Sequence, residues 1–187
     1  HESINWIFNK TNIGLSKALN QGVDYAYKCS AEWCLFFDQD SLPEKEILLV
    51  LEKEWSGYTQ KNEVGVVGVN YRSKSGQKIA YNLQNGIESR RAIVTSGSAI
   101  PMRIFDKLGR FDESLFIEGI DTEFCYRVLA EGYMVIVTSQ VLMIHGAGDD
   151  QLRRLFGREV SVSFHSHERY FLQWKNWTYV CRKYRRA

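Results

Sequence analysis

Apolar runs separated by polar segments predict an α/β protein along most of this chain. Uninterrupted or alternating apolar stretches, which are typical of strands, occur at 4–9, 33–37, 64–70, 92–95, 133–138 and 141–144. Apolar positions spaced by three and four residues, which are typical of helices with one buried face, occur at 15–26, 47–51, 102–108 and 122–130. Because helices alternate with strands, we expect a mostly parallel sheet flanked by helices.

The remaining segments are polar or aromatic. The segment 71–91 is rich in turn residues, which predicts surface structure with a hairpin tip at 73–77 and a short strand at 79–81. Pro43 suits the first turn of the helix that contains 47–51.

From about residue 160 to the end we expect a C-terminal helix. Aromatic and apolar residues recur there at three- and four-residue steps, at Tyr170, Trp174, Trp177, Cys181 and Tyr184. This spacing favours a stripe that packs on the core, and a peripheral contact with a membrane is the alternative.

Composition places the chain among ordinary globular proteins. At 187 residues, with 44% hydrophobic and 25% charged residues, it is long enough for a single domain with its own core. The net charge of +2 gives no indication of a nucleic-acid partner. The sequence shows no signal peptide and no apolar run approaching the roughly 18 residues of a membrane span, so we expect a cytoplasmic protein, with any membrane contact peripheral.

The four cysteines lie apart in the sequence, without a Cys-x-x-Cys pair. Cys34 and Cys125 fall inside apolar segments, whereas Cys29 and Cys181 do not. This spacing predicts neither a zinc site nor a disulfide framework, and it favours reduced thiols.

Two carboxylates follow the apolar run at 33–37. In Phe37-Asp38-Gln39-Asp40-Ser41, the acids alternate with Gln39, so an extended backbone would direct both to the same side. Neighbouring carboxylates repel each other unless a cation lies between them, and this edge of an α/β sheet is where ligands bind. The pair therefore indicates a divalent metal site, although two caps at the end of a strand would give the same pattern.

Two further sites contain candidate functional residues. Glu118, Asp121 and Glu123 surround a predicted helix start, where acids also stabilise the helix dipole and where Asp121 could be an N-cap. His145 follows an apolar run and precedes small residues, which suits either a buried structural histidine or a metal ligand.

Taken in order, these motifs carry a family resemblance. The matching segments are Asn12 to Gly22, Phe37 to Ser41, Ser96-Gly97-Ser98, Gly109 to Glu113, Phe116 to Arg127, Gly132-Tyr133 and His145. The chain resembles the inverting family 2 glycosyltransferases, which have the Rossmann-like GT-A fold, and most of all bacterial rhamnosyltransferases that build cell-surface polysaccharide.

The resemblance implies a role for each matching residue. Asp40 and His145 would hold Mg²⁺ or Mn²⁺ against the donor diphosphate. Asp38 would assist through the nucleotide ribose or a metal-bound water, and Ser96, Gly97 and Ser98 would lie beside the donor. Asp121 would be the base that deprotonates the acceptor hydroxyl, and Glu118 would bind the acceptor.

The resemblance also implies an organisation and a substrate. Residues 1–70 would form the donor and metal part, 92–150 the acceptor and catalytic part, and 160–187 a C-terminal helix. The donor would be a nucleoside diphosphate sugar, with rhamnose on thymidine diphosphate as the expected case, and the acceptor a glycan or lipid-linked glycan.

Two features depart from the family pattern. Relatives carry a strand, a helix and a second strand before the segment that matches Ile4 onward, so we expect a domain that is truncated at its N-terminus. In the tail, Arg169-Tyr170-Phe171 and Lys175-Asn176 stand where the pattern has Arg-Tyr-Tyr and Arg-Asn.

Two other functions remain open. Haloacid-dehalogenase phosphatases also have Asp-x-Asp after an apolar strand, but near the N-terminus and followed by Thr or Val. A non-catalytic glycan-binding module is the alternative outside the enzymes.

Overall fold

The structure is a computed structural model that describes residues 4–74, 76, 79–83, 86–146, 150–155, 158–163 and 166–185. For 150–155 and 158–163 it describes the backbone alone. The helices are α1 Leu15–Lys28, α2 Ile47–Gly57, α3 Met102–Leu108, α4 Ile120–Ala130 and α5 His167–Lys183. The strands are β1 Trp33–Phe36, β2 Leu42–Pro43, β3 Val64–Arg72, β4 Ile87–Ser89, β5 Ser98–Pro101, β6 Met134–Ile144, β7 Asp150–Leu155 and β8 Arg158–Ser163.

A mixed sheet forms the centre of the fold. Its strand order is β1-β5-β3-β6-β2, and β4 also pairs with β6, while β7 and β8 form a separate hairpin. The β3–β6 pair is parallel, and β5 runs antiparallel to both β1 and β3. The strands β1, β3 and β6 therefore run in one direction, so their carboxyl ends meet at one edge of the sheet.

Helices cover both faces of the sheet. Residues from Val64 to Asn70 of β3 are all buried, as the uninterrupted apolar run predicts. Val66 packs in a cluster with Val23 of α1 and Phe124 of α4, whereas its neighbour Val67 packs with Trp55 of α2. Because successive side chains point to opposite faces of a strand, the core has two layers.

The mixed sheet flanked by helices is confirmed, but several predicted elements are wrong. Residues 4–9 form no strand, and Trp6 and Phe8 are 73% and 86% exposed, since none of the described strands pairs with this segment. Among the described residues, no strand therefore precedes α1. Most of the described strand pairings are antiparallel, since β5 inserts between β1 and β3.

Other differences concern element bounds. The expected strand at 92–95 is irregular, and β5 begins at Ser98 instead. Pro43 lies in β2 and not in the first turn of a helix. The segments 133–138 and 141–144 join in one strand, β6, and the last helix begins at His167 because 158–163 form β8.

The surface segment after β3 agrees partly with its prediction. Gly76 N donates to Ser73 O at 2.8 Å, which forms the expected turn, although Ser75 and Gln77 lie outside the described residues. Ile79 contributes a single bridge to Arg72, and β4 was not expected. All four cysteines are free, and Cys34 and Cys125 are buried, as predicted.

Most of the aromatic stripe of α5 does not pack on the core. Trp174 and Trp177 are 76% and 55% exposed, whereas the buried residues of this helix are Asn176 and Val180. Among the described helices, none combines the length and the apolar character that crossing a bilayer requires.

Candidate functional site

The carboxyl ends of β1 and β6 bring together two carboxylates and an imidazole. Asp38 and Asp40 follow β1, and His145 follows β6. His145 Nε2 lies 3.9 Å from Asp38 Oδ2, and His145 Nδ1 lies 4.0 Å from Asp40 Oδ1. One potential ligand atom from each residue lies within 4.8 Å of the others.

A turn, and not an extended backbone, directs both aspartates to the same side. Ser41 N donates to Asp38 O at 3.1 Å, which closes a turn over 38–41. Asp38 N donates to Ser96 Oγ at 3.1 Å. Burial raises the pKa of Asp38 above its ordinary value, and the nearby Asp40 adds to this rise while His145 opposes it.

Buried hydroxyl groups hold His145 in place. Ser41 Oγ lies 2.8 Å from His145 Nδ1 and 2.6 Å from Ser96 Oγ. His145 N donates to Arg72 O at 3.0 Å, and the Tyr71 ring packs edge-on against the imidazole at a centroid distance of 5.2 Å. Because Ser41 contacts Nδ1, Nε2 is the ring nitrogen that remains for a ligand.

The residues 96–98 lie beneath this edge of the sheet. All three are buried, and the backbone N of Gly97 donates to Phe36 O at 2.7 Å. Gly97 has φ 76°, and a Cβ there would lie 2.6 Å from Val69 Cγ2, so only glycine fits. Residues 94–95 line the cleft above them, and the contact of Ser96, Gly97 and Ser98 with a donor stays a prediction.

A cation already lies beside one of the carboxylates. Lys74 Nζ donates to Asp40 Oδ2 at 3.3 Å, with the lysine side chain 59% exposed. The lysine stem passes Gly146, where an added Cβ would lie 2.7 Å from Lys74 Cε. Lys74 therefore compensates part of the negative charge at the Asp38, Asp40 and His145 cluster.

Asp121 lies in the first turn of α4, on another wall of the same cleft. Gly119 occupies the N-cap position, so Asp121 is not the cap of this helix. Asp121 Oδ1 accepts from Thr122 N at 2.7 Å and from Thr122 Oγ1 at 3.3 Å. Burial raises the pKa of Asp121 although these hydrogen bonds oppose the rise.

The turn that leads to Asp121 is held by α5. Glu118 and Gly119 both have left-handed backbones, with φ of 66° and 76°. The Glu118 carboxylate pairs with Arg169 Nε and accepts from Gln173 Nε2 at 3.1 Å. Asn176 Nδ2 donates to the carbonyls of Ile117 at 2.8 Å and Glu118 at 2.9 Å.

A second set of polar contacts joins α5 to α4. The Glu123 side chain is 0% exposed and pairs with Arg127 on its own helix. It accepts from Lys183 Nζ at 2.9 Å and from Tyr184 Oη at 2.6 Å. Burial and the hydrogen bond to Glu123 raise the pKa of Tyr184 to about 12. The helix that carries Asp121 is thus fixed to α5 at a buried charge cluster.

One cleft of about 720 Å³ joins these groups, since Asp38, Asp40, His145, Glu118 and Asp121 all line it. Two carboxylates and an imidazole form a suitable donor set for a divalent metal. Their separations leave room for an ion between them. The residues present therefore fit a divalent metal, on the side of the cleft that β1 and β6 build.

The site also uses residues that had no predicted role. Ser41 and Lys74 contact the metal side, and Arg169, Gln173 and Asn176 contact the Asp121 side. Arg169 and Asn176 belong to the tail segments that were compared with the family pattern, and this comparison was the only indication in the sequence that they could matter. Ser41 and Lys74 could not be found without the turn geometry that brings them to the cluster.

Comparison with solved structures decides the fold. GalNAc-T7, solved with UDP, GalNAc and Mn²⁺, matches 93% of this chain and 35% of its own with a TM-score of 0.58 and 15% identity. S. aureus TarS matches 76% of this chain and 26% of its own with a TM-score of 0.55 and 14% identity. The fold is that of the GT-A glycosyltransferases. The GT-A fold predicted from the motifs is therefore confirmed.

Sequence comparison points to a narrower group. The dTDP-rhamnosyl transferase RfbF of Shigella flexneri is 28% identical over 197 residues, which cover 97% of this chain and 64% of that protein. The chain thus spans about 64% of the length of this curated relative. No family model matches the chain. The resemblance to rhamnosyltransferase-like family 2 glycosyltransferases is confirmed.

Proposed function

We propose that this chain contains the catalytic centre of an inverting, metal-dependent glycosyltransferase that uses a nucleoside diphosphate sugar. The observation that carries the proposal is the cleft itself. A metal-ligand set of Asp38, Asp40 and His145 lies on one wall, and a separate carboxylate with a raised pKa, Asp121, lies on another.

The ligand set would hold Mg²⁺ or Mn²⁺, which when bound neutralises the charge that develops on the departing nucleoside diphosphate. Asp40 and His145 Nε2 would supply ligand atoms, and Asp38 would complete the site or contact the ribose. Ser41 fixes the orientation of the imidazole through Nδ1. Lys74 would compete with an entering ion for Asp40, because both cations are attracted to the same carboxylate.

Asp121 would accept the proton of the acceptor hydroxyl as that oxygen attacks the sugar. A carboxylate with a raised pKa is a stronger base than an ordinary aspartate when it is ionised. Displacement with the nucleophile and the leaving group on opposite faces inverts the anomeric centre. Glu118 also lines the cleft on the acceptor side, although Arg169 and Gln173 occupy much of its carboxylate.

The donor that we propose is dTDP-rhamnose, with a cell-surface polysaccharide or lipid-linked glycan as the acceptor. RfbF, by its name, is a dTDP-rhamnosyl transferase. Structural neighbours were solved with UDP-GlcNAc, in the case of TarS 1–349, and with UDP and Mn²⁺, in the case of GalNAc-T7. These neighbours support a nucleotide-sugar donor in general, and RfbF supports the choice of rhamnose.

The test measures release of the nucleoside diphosphate and transfer of the sugar from a panel of nucleotide sugars, with and without Mn²⁺. We expect dTDP-rhamnose to be the preferred donor. Asp121→Asn should lower kcat by about 10²–10⁴-fold with donor affinity retained. Asp40→Asn should lose Mn²⁺-dependent donor binding, and Asp106→Asn, an exposed aspartate on α3, should behave as the wild type. Full turnover by Asp121→Asn would overturn the assignment of the base.

The phosphatase and the non-catalytic module are not favoured, because the similar proteins are glycosyltransferases. A dehalogenase-type phosphatase would release phosphate from an aryl phosphate through an aspartyl intermediate. We expect no such release, and rapid release that requires Asp38 would favour the phosphatase.

A further inference from the structure

The last helix has its polar side towards the protein and its aromatic side away from it. On the inner side, Gln173 and Asn176 contact the turn before α4, and Lys183 contacts Glu123. In α5 the residues with the lowest exposure are Asn176 and Val180. Polar contacts and the buried Val180 therefore fix this helix to the core, whereas its large aromatic residues at 171, 174 and 177 stay mostly exposed.

Large aromatic side chains form the outer face. Phe171, Trp174 and Trp177 are 68%, 76% and 55% exposed. They are spaced by three residues, which places them along one side of a helix. Exposed apolar residues that are contiguous on a surface indicate an interaction site, whereas single exposed residues do not.

Basic residues lie beside this aromatic face. Lys175 and Arg182 line an open groove of about 680 Å³ together with Phe171 and Trp174. Within the described part of the chain, neither Lys175 nor Arg182 has a carboxylate partner, in contrast to Lys183, which pairs with Glu123 and Asp112. As far as the described side chains show, the groove therefore presents positive charge without a carboxylate partner.

We propose that the outer face of α5 binds the surface of an anionic lipid bilayer. Tryptophan and phenylalanine beside lysine and arginine are the residues that hold interfacial helices at the boundary between headgroups and acyl chains. The charge complementarity is with anionic headgroups. A second copy of the chain fits less well, because a two-fold contact through this face would bring Lys175 and Arg182 of both copies together.

The same helix that carries the outer aromatic face also borders the cleft. Arg169 and Gln173, on the inner side of the same helix, line the cleft that contains Asp121. Binding through the outer face would hold that cleft beside the bilayer, where a lipid-linked acceptor resides. This consequence rests on the proposed function, whereas binding to the bilayer does not.

The test is co-sedimentation of the purified protein with vesicles of phosphatidylcholine alone or mixed with phosphatidylglycerol. We expect binding to the anionic vesicles, weakened by salt. Lys175→Gln combined with Arg182→Gln should lower the partition coefficient about 30-fold, since each lysine or arginine near an anionic surface contributes about 1 kcal/mol to the free energy of binding. Trp174→Ser should lower it about tenfold.

Matched controls come from other elements. Trp6→Ser removes a tryptophan that is 73% exposed, close to the 76% of Trp174, but lies outside α5. Lys53→Gln removes an exposed lysine of α2. Both controls should bind as the wild type does, and circular dichroism should show all variants folded because the changed side chains point away from the core.

Three results would overturn the proposal. One is failure of the wild type to sediment with anionic vesicles, and another is equal binding to neutral vesicles. The third is a dimer in analytical ultracentrifugation that Trp174→Ser converts to a monomer, which would assign the face to a second copy. None of these measurements requires sugar transfer, so failure here is distinct from failure of the proposed glycosyltransferase activity.

Discussion

Asn176→Ala tests whether α5 positions Asp121. Asn176 is 3% exposed, and its Nδ2 donates to the carbonyls of Ile117 and Glu118 at 2.8 and 2.9 Å. The substitution removes both hydrogen bonds and leaves the metal side of the cleft untouched. We therefore expect the Asp121 side of the site to change while Asp38, Asp40 and His145 keep their arrangement.

The size of the expected change follows from the backbone strain that the two hydrogen bonds of Asn176 offset. A left-handed backbone at a residue with a side chain costs about 1–2 kcal/mol, and Glu118 adopts one with φ 66°. Two hydrogen bonds contribute about 1 kcal/mol each. Their loss is comparable to the strain, so the turn should relax. A displacement of Asp121 by about 1 Å would lower kcat by about 100-fold.

The assay compares kcat for sugar transfer with Mn²⁺-dependent donor affinity. We expect kcat to fall about 10- to 100-fold and the donor Kd to change less than threefold. The free energy of unfolding, measured in urea, should fall by about 2 kcal/mol. Thr178→Ala is the matched control on the same helix, because its hydroxyl donates to Trp174 O within α5.

Two results would refute the reasoning. If Asn176→Ala loses stability but keeps the wild-type kcat, α5 does not position the base. If donor affinity falls as much as kcat, the effect has spread across the whole cleft and is not confined to the turn.

Further predictions concern protonation, charge and the buried cluster. Because the pKa of Asp121 is raised, kcat/KM should rise with pH through a midpoint above ~3.9, the pKa of an ordinary aspartate. The Asp121→Asn variant should lack this rise. Ionised Asp121 opposes folding above that midpoint, so Asp121→Asn should unfold at higher urea than the wild type at neutral pH. Lys74→Met should raise Mn²⁺ affinity up to about fivefold by calorimetry, since an exposed pair contributes at most about 1 kcal/mol, and an unchanged affinity would exclude competition at Asp40. Glu123→Gln should destabilise the protein by about 3–5 kcal/mol in urea, because the largely buried guanidinium of Arg127 loses its carboxylate partner, and a loss below about 1 kcal/mol would contradict this.

Much of the fold was visible in the pattern of apolar residues. The buried strand β3 and helices α1, α3 and α4 lie close to their predicted positions, because their periodicity reflects burial on one or both faces. The strand expected at 4–9 did not form, since alternation shows only that one side could be buried and not that a neighbouring strand exists to pair with it. Most pairings are antiparallel because β5 inserts between β1 and β3, which apolar runs cannot reveal.

The site was partly visible as well. Asp38, Asp40 and His145 meet because β1 and β6 run in one direction and end at the same edge of the sheet, and the family resemblance had implied that Asp40 and His145 share a site. The turn over 38–41, the contact of Ser41 with His145 and the cation at Lys74 depend on loop geometry. These details have no periodic signal.

In the tail, the sequence predicted the helix α5 but not which of its sides faces the core. Its aromatic spacing predicts a helix, and the helix is present at His167–Lys183. The spacing does not say which side faces the core. Polar partners in the turn before α4 decide this, because Asn176 satisfies two backbone carbonyls that an apolar side chain would leave unpaired.

The most direct test of the central claim is a calorimetric titration of dTDP-rhamnose into the protein with and without Mn²⁺. The proposed function predicts binding that requires Mn²⁺ and that Asp40→Asn abolishes, while Asp121→Asn retains it. Equal affinity without Mn²⁺, or wild-type affinity in Asp40→Asn, would contradict the claim that Asp38, Asp40 and His145 form the metal site of a glycosyltransferase.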